Sequence, residues 1–336
     1  MIFVTGGTGL VGSHILMKLS QDNIPFKALK RSSSSLEVCK DVFIHYNAES
    51  LFHSIIWEEG DVNDIPSLET AMQNCDKIIH AAAMVSFHNE EADLMHKINV
   101  EGTENMMNVA LSMGIKKVSY ISSIASLGRN STEEMVDEDC YFRVSKKESN
   151  YSLSKYYSEQ EVWRASQEGL DVVIINPSVI LGPGDWTKGS SQIFTKLYKG
   201  LKFYTTGSTG YVDVVDVANC AILLLQSDIK NERFIVNGAN MKFRNLFDLI
   251  AEGFGNKKSS IKVTPLLKGI SWRMEFIISF ITGRKPLLTK ETANSAMKNN
   301  SYSTQKIEDA IGYKFTPIQE SITKYCKWFS DKITSD

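Results

Sequence analysis

Thr5-Gly6-Gly7-Thr8-Gly9-Leu10-Val11-Gly12, entered from the apolar run Ile2-Phe3-Val4, decides how this chain is read. Ile2 to Val4 suit a short buried parallel strand, and the residues from Leu10 to Leu16 follow a helical pattern. Between them Gly6, Gly9 and Gly12 make a strand, glycine turn and helix start. Such a turn leaves the first N–H groups of the helix uncovered by side chains, and the positive end of the helix dipole adds to their pull on an anion. A pyrophosphate fits there, so Gly6, Thr8, Gly9, Leu10, Val11 and Gly12 are expected to hold a dinucleotide.

The rest of the composition narrows the class. The chain has 336 residues, 43% of them apolar and 23% charged, enough for one large or two medium domains with a full core. A formal charge of -2 with dispersed basic residues favours neither nucleic acid nor an anionic membrane as partner. The strand pattern begins at residue 2 with no leader before it, and no apolar run is long enough to span a bilayer, so a cytoplasmic protein is expected. Five cysteines, Cys39, Cys75, Cys140, Cys220 and Cys326, are scattered without a Cys-x-x-Cys pair, and the six histidines lack ligand spacing. Reduced thiols and no metal are expected.

After the first helix, Phe26 to Leu29 reads as a second strand, ending at Lys30-Arg31 and Ser32 to Ser35. An NAD site would place an acid about 20 residues past the turn to bind the ribose 2′-hydroxyl. Arg31 stands there instead, where a guanidinium can pair with a 2′-phosphate. NADP(H) is therefore preferred, with NAD(H) the alternative. Ile55 to Glu58 leads into Gly60-Asp61-Val62, and Asp61 is positioned to accept from the adenine amino group, with Val62 beside it. Lys77 to His80 runs into Ala81-Ala82-Ala83, whose small side chains let backbone approach a cofactor. A long helical segment is expected from about Glu90 to Met113, then the strand Val118 to Ile121.

Strands and helices alternate through Asn176, the pattern of an α/β, Rossmann-type doubly wound parallel sheet with ligands at the carboxyl ends of its strands. Beyond Pro177 the alternation stops. The expected division is a dinucleotide-binding domain, 1–176 with about 211–236, and a smaller C-terminal substrate lobe, 177–210 with 237–336. Trp272 to Ile281 is an apolar stretch too short to cross a membrane and is read as a lid or buried helix.

Tyr151 and Lys155 lie four residues apart in a helical pattern and so share one face. An ammonium near the phenol favours its ionised form, which suits a tyrosine that exchanges a proton with a substrate oxygen. Ser123, at the end of the preceding strand, is placed to bind the same oxygen. A tyrosine, a serine, a lysine and a nicotinamide are the parts that hydride transfer at a carbonyl carbon requires.

With these residues in place the chain resembles the extended short-chain dehydrogenase/reductases, also called the NAD-dependent epimerase/dehydratase family. The resemblance rests on Thr5 to Gly12, Gly60-Asp61-Val62, His80 to Ala83, Asn99-Val100-Glu101-Gly102-Thr103, Ser122-Ser123, Tyr151 to Lys155, Asn176-Pro177-Ser178 and Tyr211 to Ala218. It implies a catalytic triad of Ser123, Tyr151 and Lys155, with Lys155 also on the nicotinamide ribose, Asn99 supporting the active site, and Pro177, Ser178 and Val179 beside the nicotinamide. A homodimer through the helices carrying Asn99 and Tyr151 would be family-like.

Within the family, nucleotide-sugar epimerases with retained NAD usually hold a diphosphate with arginines. Here Gly207 to Gly210 and Asn299 to Tyr302 contain none, although Asn176 matches a diphosphate-contacting position. Arg31, Ser126-Leu127-Gly128-Arg129, Pro177 to Asp185 and the tail Lys306 to Tyr313 resemble instead the dihydroflavonol 4-reductase, cinnamoyl-CoA reductase and 3β-hydroxysteroid dehydrogenase subgroup. That subgroup acts on a carbonyl or alcohol of a bulky, mostly apolar small molecule, and Met84, Val85, Phe87, Asn176, Ile193 and Tyr204 are the residues expected to line its pocket. A third reading, a protein that senses NADP(H) without catalysis, predicts a missing triad member, and none is missing.

Overall fold

β1 (Ile2–Thr5) is buried at every residue, as a strand covered on both faces must be. In the computed structural model, which describes residues 1–128, 135–145, 148–264 and 296–335, it lies near the middle of a seven-stranded sheet. On one side stand β2 (Phe26–Lys30) and β3 (Ile56–Glu59). On the other stand β4 (Lys77–His80), β5 (Lys117–Ile121), β6 (Asp171–Pro177) and β10 (Glu232–Val236). All neighbours run parallel, with Val4 beside Ala28 in β2 and Ile79 in β4. The chain leaves β1 towards β2 and restarts on the opposite side at β4. The crevice outside the carboxyl ends of β1 and β4 is thus the switch point at which such sheets take ligands.

Side-chain alternation along β1 divides the core in two. Ile2 and Val4 join the cluster under α1 (Leu10–Gln21), α2 (Glu37–His45) and α9 (Val214–Gln226). Phe3 faces the other way, towards α4 (Ile65–Ala71), α6 (Gly102–Ser112) and α7 (Asn150–Gln167). Each fully buried side chain of this kind contributes about 1.5–3 kcal/mol. Lys117 is buried at the start of β5 because its ammonium caps the end of α9, donating to Leu224 O at 2.7 Å and Ser227 O at 2.6 Å.

The helical segment expected from about Glu90 to Met113 forms, as a 3-10 turn at Asn89–Glu91, α5 (Ala92–His96), a π-helical stretch Lys97–Glu101, and α6. Two hydroxyls bond a carbonyl of the π-helical stretch. Thr103 Oγ1 and Ser158 Oγ donate to the Asn99 carbonyl at 2.5 and 2.7 Å, competing with the helical ladder.

The smaller lobe contains a sheet of β7 (Val179–Leu181), β9 (Ser208–Asp213) and β11 (Ala239–Lys242), with α8 (Gln192–Tyr198), α10 (Phe243–Gly253) and the last helix, α12 (Ile318–Ser335). β8 (Phe203–Tyr204) pairs with β12 (Ile261–Lys262). Residue 211 falls inside β9, which belongs to the lobe sheet. α11 (Gln305–Ile311) and the residues after it return to the nucleotide side: Ile307 is fully buried in the α1–α9 cluster. There Asp216 accepts from Tyr313 Oη at 2.8 Å and Thr316 N at 2.8 Å. Arg129 and the stretch from Trp272 to Ile281 lie outside the described residues. Among the described residues no helix is long and apolar enough to cross a membrane.

Candidate active site

The glycine turn occupies the switch point. Gly6 has φ +73°, and a Cβ built on it would stand 2.5 Å from the Ala81 carbonyl and 2.6 Å from Ala82 N. A Cβ on Gly12 would stand 2.0 Å from Gly6 O. The two glycines therefore fold the turn tightly against the end of β4. Gly9 is the N-cap of α1 and offers no side-chain cap, so the helix start opens its N–H groups outward, with Thr8 just before it. These features fit the pyrophosphate of a dinucleotide. Leu10 and Val11 meanwhile pack against the core of the smaller sheet, so the helix that would hold the cofactor touches both core clusters.

At the neighbouring strand ends, Arg31 is exposed just past β2, and its backbone N–H donates to Ser34 Oγ at 3.2 Å. Lys30 approaches Glu59 at 3.9 Å. Asp61 accepts from Asn63 N at 2.9 Å in a local turn, and Val62 packs where a Cβ of Gly102 would stand 2.7 Å from it. Ala82 N donates to Thr5 Oγ1 at 3.2 Å, Ala81 borders Gly6, and Ala83 is exposed.

α7 begins at Ser149, whose hydroxyl accepts from Ser152 N. This places Tyr151 in the first turn and Lys155 one turn later. Lys155 is 1% exposed, and its ammonium donates to Ile121 O at 2.9 Å and Tyr120 Oη at 3.0 Å. Burial pulls its pKa below the usual lysine value, while Tyr151 and Glu159 draw it back up. Ser123 lies two residues past the end of β5, and its Oγ accepts from Ala125 N at 3.1 Å, which leaves its own O–H free to donate. The Phe87 ring lies 5.8 Å from the Tyr151 ring.

Asn99 acts as a strut. Its Oδ1 accepts from Met84 N at 2.7 Å, and its Nδ2 donates to Met84 O at 2.9 Å and Ser154 Oγ at 3.0 Å. It thus joins the loop after β4 to the residue beside Lys155. His80 is buried behind it, with Nδ1 2.6 Å from Thr5 Oγ1 and Nε2 3.2 Å from Thr103 Oγ1. Thr103 spends its hydrogen on Asn99 O, so the hydrogen-bond pattern assigns the neutral Nε2–H tautomer. Burial pushes the His80 pKa down to about 3.

The remaining expected residues divide. Val85 and Phe87 are exposed beside the site. Pro177 ends β6, Val179 packs against the lobe core, and the Ser178 hydroxyl is buried with no hydrogen-bond partner among the described residues. Ile193 packs against the lobe core. Asn176, expected against substrate, is fully buried, its Nδ2 donating to Ser123 O at 3.1 Å and to Glu159 Oε1 at 2.5 Å. Sequence reasoning missed Tyr120 and Glu159. Tyr120 reads as an ordinary core aromatic, whereas Glu159 carried a signal: it stands four residues after Lys155, as Lys155 does after Tyr151.

Comparison with known proteins agrees with this layout. The model of the NAD dependent epimerase/dehydratase family matches residues 2–237. A Synechocystis sp. protein named "Putative dihydroflavonol 4-reductase" is 28% identical, across 98% of this chain and 94% of its own length. The decarboxylating sterol-4-alpha-carboxylate 3-dehydrogenase of Dictyostelium discoideum is 24% identical, across 93% of this chain and 95% of its own. The crystal structure of gox2253 superposes with a TM-score of 0.81 at 28% identity, covering 99% of this chain and 98% of that one. With its glycine turn at the switch point and the family model spanning the whole nucleotide-binding sheet, the chain belongs to the NAD dependent epimerase/dehydratase family, the extended short-chain dehydrogenase/reductases.

Proposed function

We propose that the protein is an NADP(H)-preferring oxidoreductase that reduces a carbonyl, or oxidises the corresponding alcohol, on a bulky and mostly apolar small molecule. The observation that carries this reading is the placement of Lys155. Fully buried on the Tyr151 face of α7, it bonds the backbone at Ile121, two residues before Ser123. One lysine thereby ties the helix of the phenol to the strand end of the hydroxyl.

The nicotinamide, when bound, supplies or accepts the hydride. The chain's own residues manage the proton. Tyr151 Oη gives a proton to the substrate oxygen in reduction and takes it back in oxidation. The Ser123 hydroxyl, its lone pair already engaged by Ala125 N, donates to the same oxygen and steadies charge that develops there. Lys155 keeps a positive charge near the phenol. Phe87 and Val85 supply exposed apolar surface beside Tyr151, in keeping with an apolar substrate. Support for NADP(H) comes from Arg31, exposed at the end of β2 where a 2′-phosphate would lie.

The test is a panel of benzaldehyde, cinnamaldehyde, cyclohexanone and a steroid 3-ketone, followed by NADPH and NADH absorbance, with mass spectrometry of any nucleotide that copurifies. NADPH-dependent reduction of at least one member is expected. Tightly held NAD with no consumption of added NADPH by any member overturns this reading in favour of an epimerase.

A further inference from the structure

Glu159 is a carboxylate with 1% exposure in the layer between α7 and the sheet, a costly place for a charge. Its surroundings account for it. Oε1 accepts from Ser122 Oγ, Ser126 Oγ and Asn176 Nδ2, each at 2.5 Å. Oε2 faces Arg233 Nη1 at 3.5 Å, and Arg233 is itself anchored by Nε to Glu138 O at 2.8 Å. The donors are not arbitrary core hydroxyls. Ser122 and Ser126 bracket Ser123 in the chain, while Asn176 Nδ2 also donates to the Ser123 carbonyl at 3.1 Å and Ser126 Oγ, whose one hydrogen is shared between Glu159 and that carbonyl, lies 2.7 Å from it. Beside the backbone bond from Ser126 N at 3.1 Å, both side chains that reach the Ser123 carbonyl are thus groups that also contact Glu159. Packing alone would ask only for a hydrocarbon of this size.

We propose that Glu159 is a positioning residue, which locks the strand end from Ser122 to Ser126 so that the Ser123 hydroxyl is aimed at the reacting oxygen. This rests on the role assigned to Ser123 above. Glu159 touches neither substrate nor cofactor and acts only through the serine. It stands on the same helix as Tyr151 and Lys155, so it sets the distance of Ser123 from both in one rigid unit.

The experiment is a double-mutant cycle on the purified full-length protein, with NADPH and whichever panel member the wild type reduces fastest. Glu159→Leu is expected to lower kcat about 100-fold, the loss that a misplacement of about 1 Å carries, with the NADPH Kd changed less than about threefold. In a Ser123→Ala background the same substitution is expected to lower kcat by no more than about twofold, because its route to the substrate oxygen is gone. Unchanged kcat in Glu159→Leu, or a loss that multiplies with that of Ser123→Ala, overturns the proposal. Wild-type kcat in Ser123→Ala alone overturns the triad reading itself, and this inference with it. If Glu159→Leu does not fold, the Ser122→Ala/Ser126→Ala variant removes two of the same bonds from the other side and carries the same expectations.

Discussion

The Lys155 ammonium donates to the Ile121 carbonyl at 2.9 Å, so the helix bearing Tyr151 is fastened to the strand end bearing Ser123. Lys155→Met removes both the charge and the fastening. It should lower kcat about 1,000-fold and also lower Tm, because the Ile121 carbonyl loses its buried donor. Tyr151→Phe, by contrast, should abolish turnover while leaving Tm and NADPH affinity close to wild type. Steady-state kinetics beside thermal melts separate the two variants, and full activity in Tyr151→Phe would sink the proton-transfer role.

Arg31 bears on the choice of dinucleotide. Its guanidinium is exposed, and a charge-assisted contact with phosphate contributes about 1.5–3 kcal/mol. Arg31→Asp should therefore raise the KM for NADPH roughly 10- to 100-fold and change the KM for NADH little or favourably. Equal changes for both cofactors would show that Arg31 does not read the 2′-phosphate.

Gly12 and Gly9 should respond differently to alanine. A Cβ at Gly12 meets Gly6 O at 2.0 Å, backbone that cannot move without opening the turn, whereas one at Gly9 meets Gly6 O at 3.4 Å, ordinary contact. Gly12→Ala should destabilise the fold by about 1–3 kcal/mol and weaken NADPH binding at least about tenfold. Gly9→Ala should fold with near wild-type Tm. Thermal melts and an NADPH fluorescence titration of both variants make the check.

Acid should destabilise the protein through two buried histidines. Burial lowers the pKa of His14 from 6.5 to about 4 and that of His80 from 6.5 to about 3, so the unfolded chain binds protons in a range where the folded one does not. Their contribution to stability is intact above pH about 6.5 and is lost as pH falls towards the folded values. At pH 5 the loss should be of the order of 2 kcal/mol for each. Urea unfolding at pH 7 and pH 5 should show it, and a His80→Asn variant should have the shallower dependence. An equal slope in that variant would mean that His80 is not held neutral.

Much of the fold was legible because its signals are local. The run from Ile2 to Gly12 specifies a strand, a turn and a helix through apolar spacing and glycine alone, and β1 and α1 form there. The spacing of Tyr151 and Lys155 likewise placed both on one helix face before any tertiary contact was known. The helical segment from about Glu90 to Met113 is legible in the same way, whereas its π-helical stretch involves Ser158, a residue of another helix. A strand-end position does not tell which way an amide turns, so the bonds of Asn176 to Ser123 and Glu159 are visible only in the packed structure.

From the sequence alone came the strand-and-helix order, the glycine turn and the phenol–ammonium pair, since each depends on the few residues on either side of it. The sheet order, with β4 brought against β1, decided the rest: where Gly6 touches Ala81, what Lys155 holds, and why Glu159 is buried. Those contacts join residues far apart in the chain, as Lys155 with Ile121, 34 positions away, and Thr5 with His80, 75 positions away, do. Buried polar groups must find partners wherever the fold puts them. Only the packed structure reveals which partners those are.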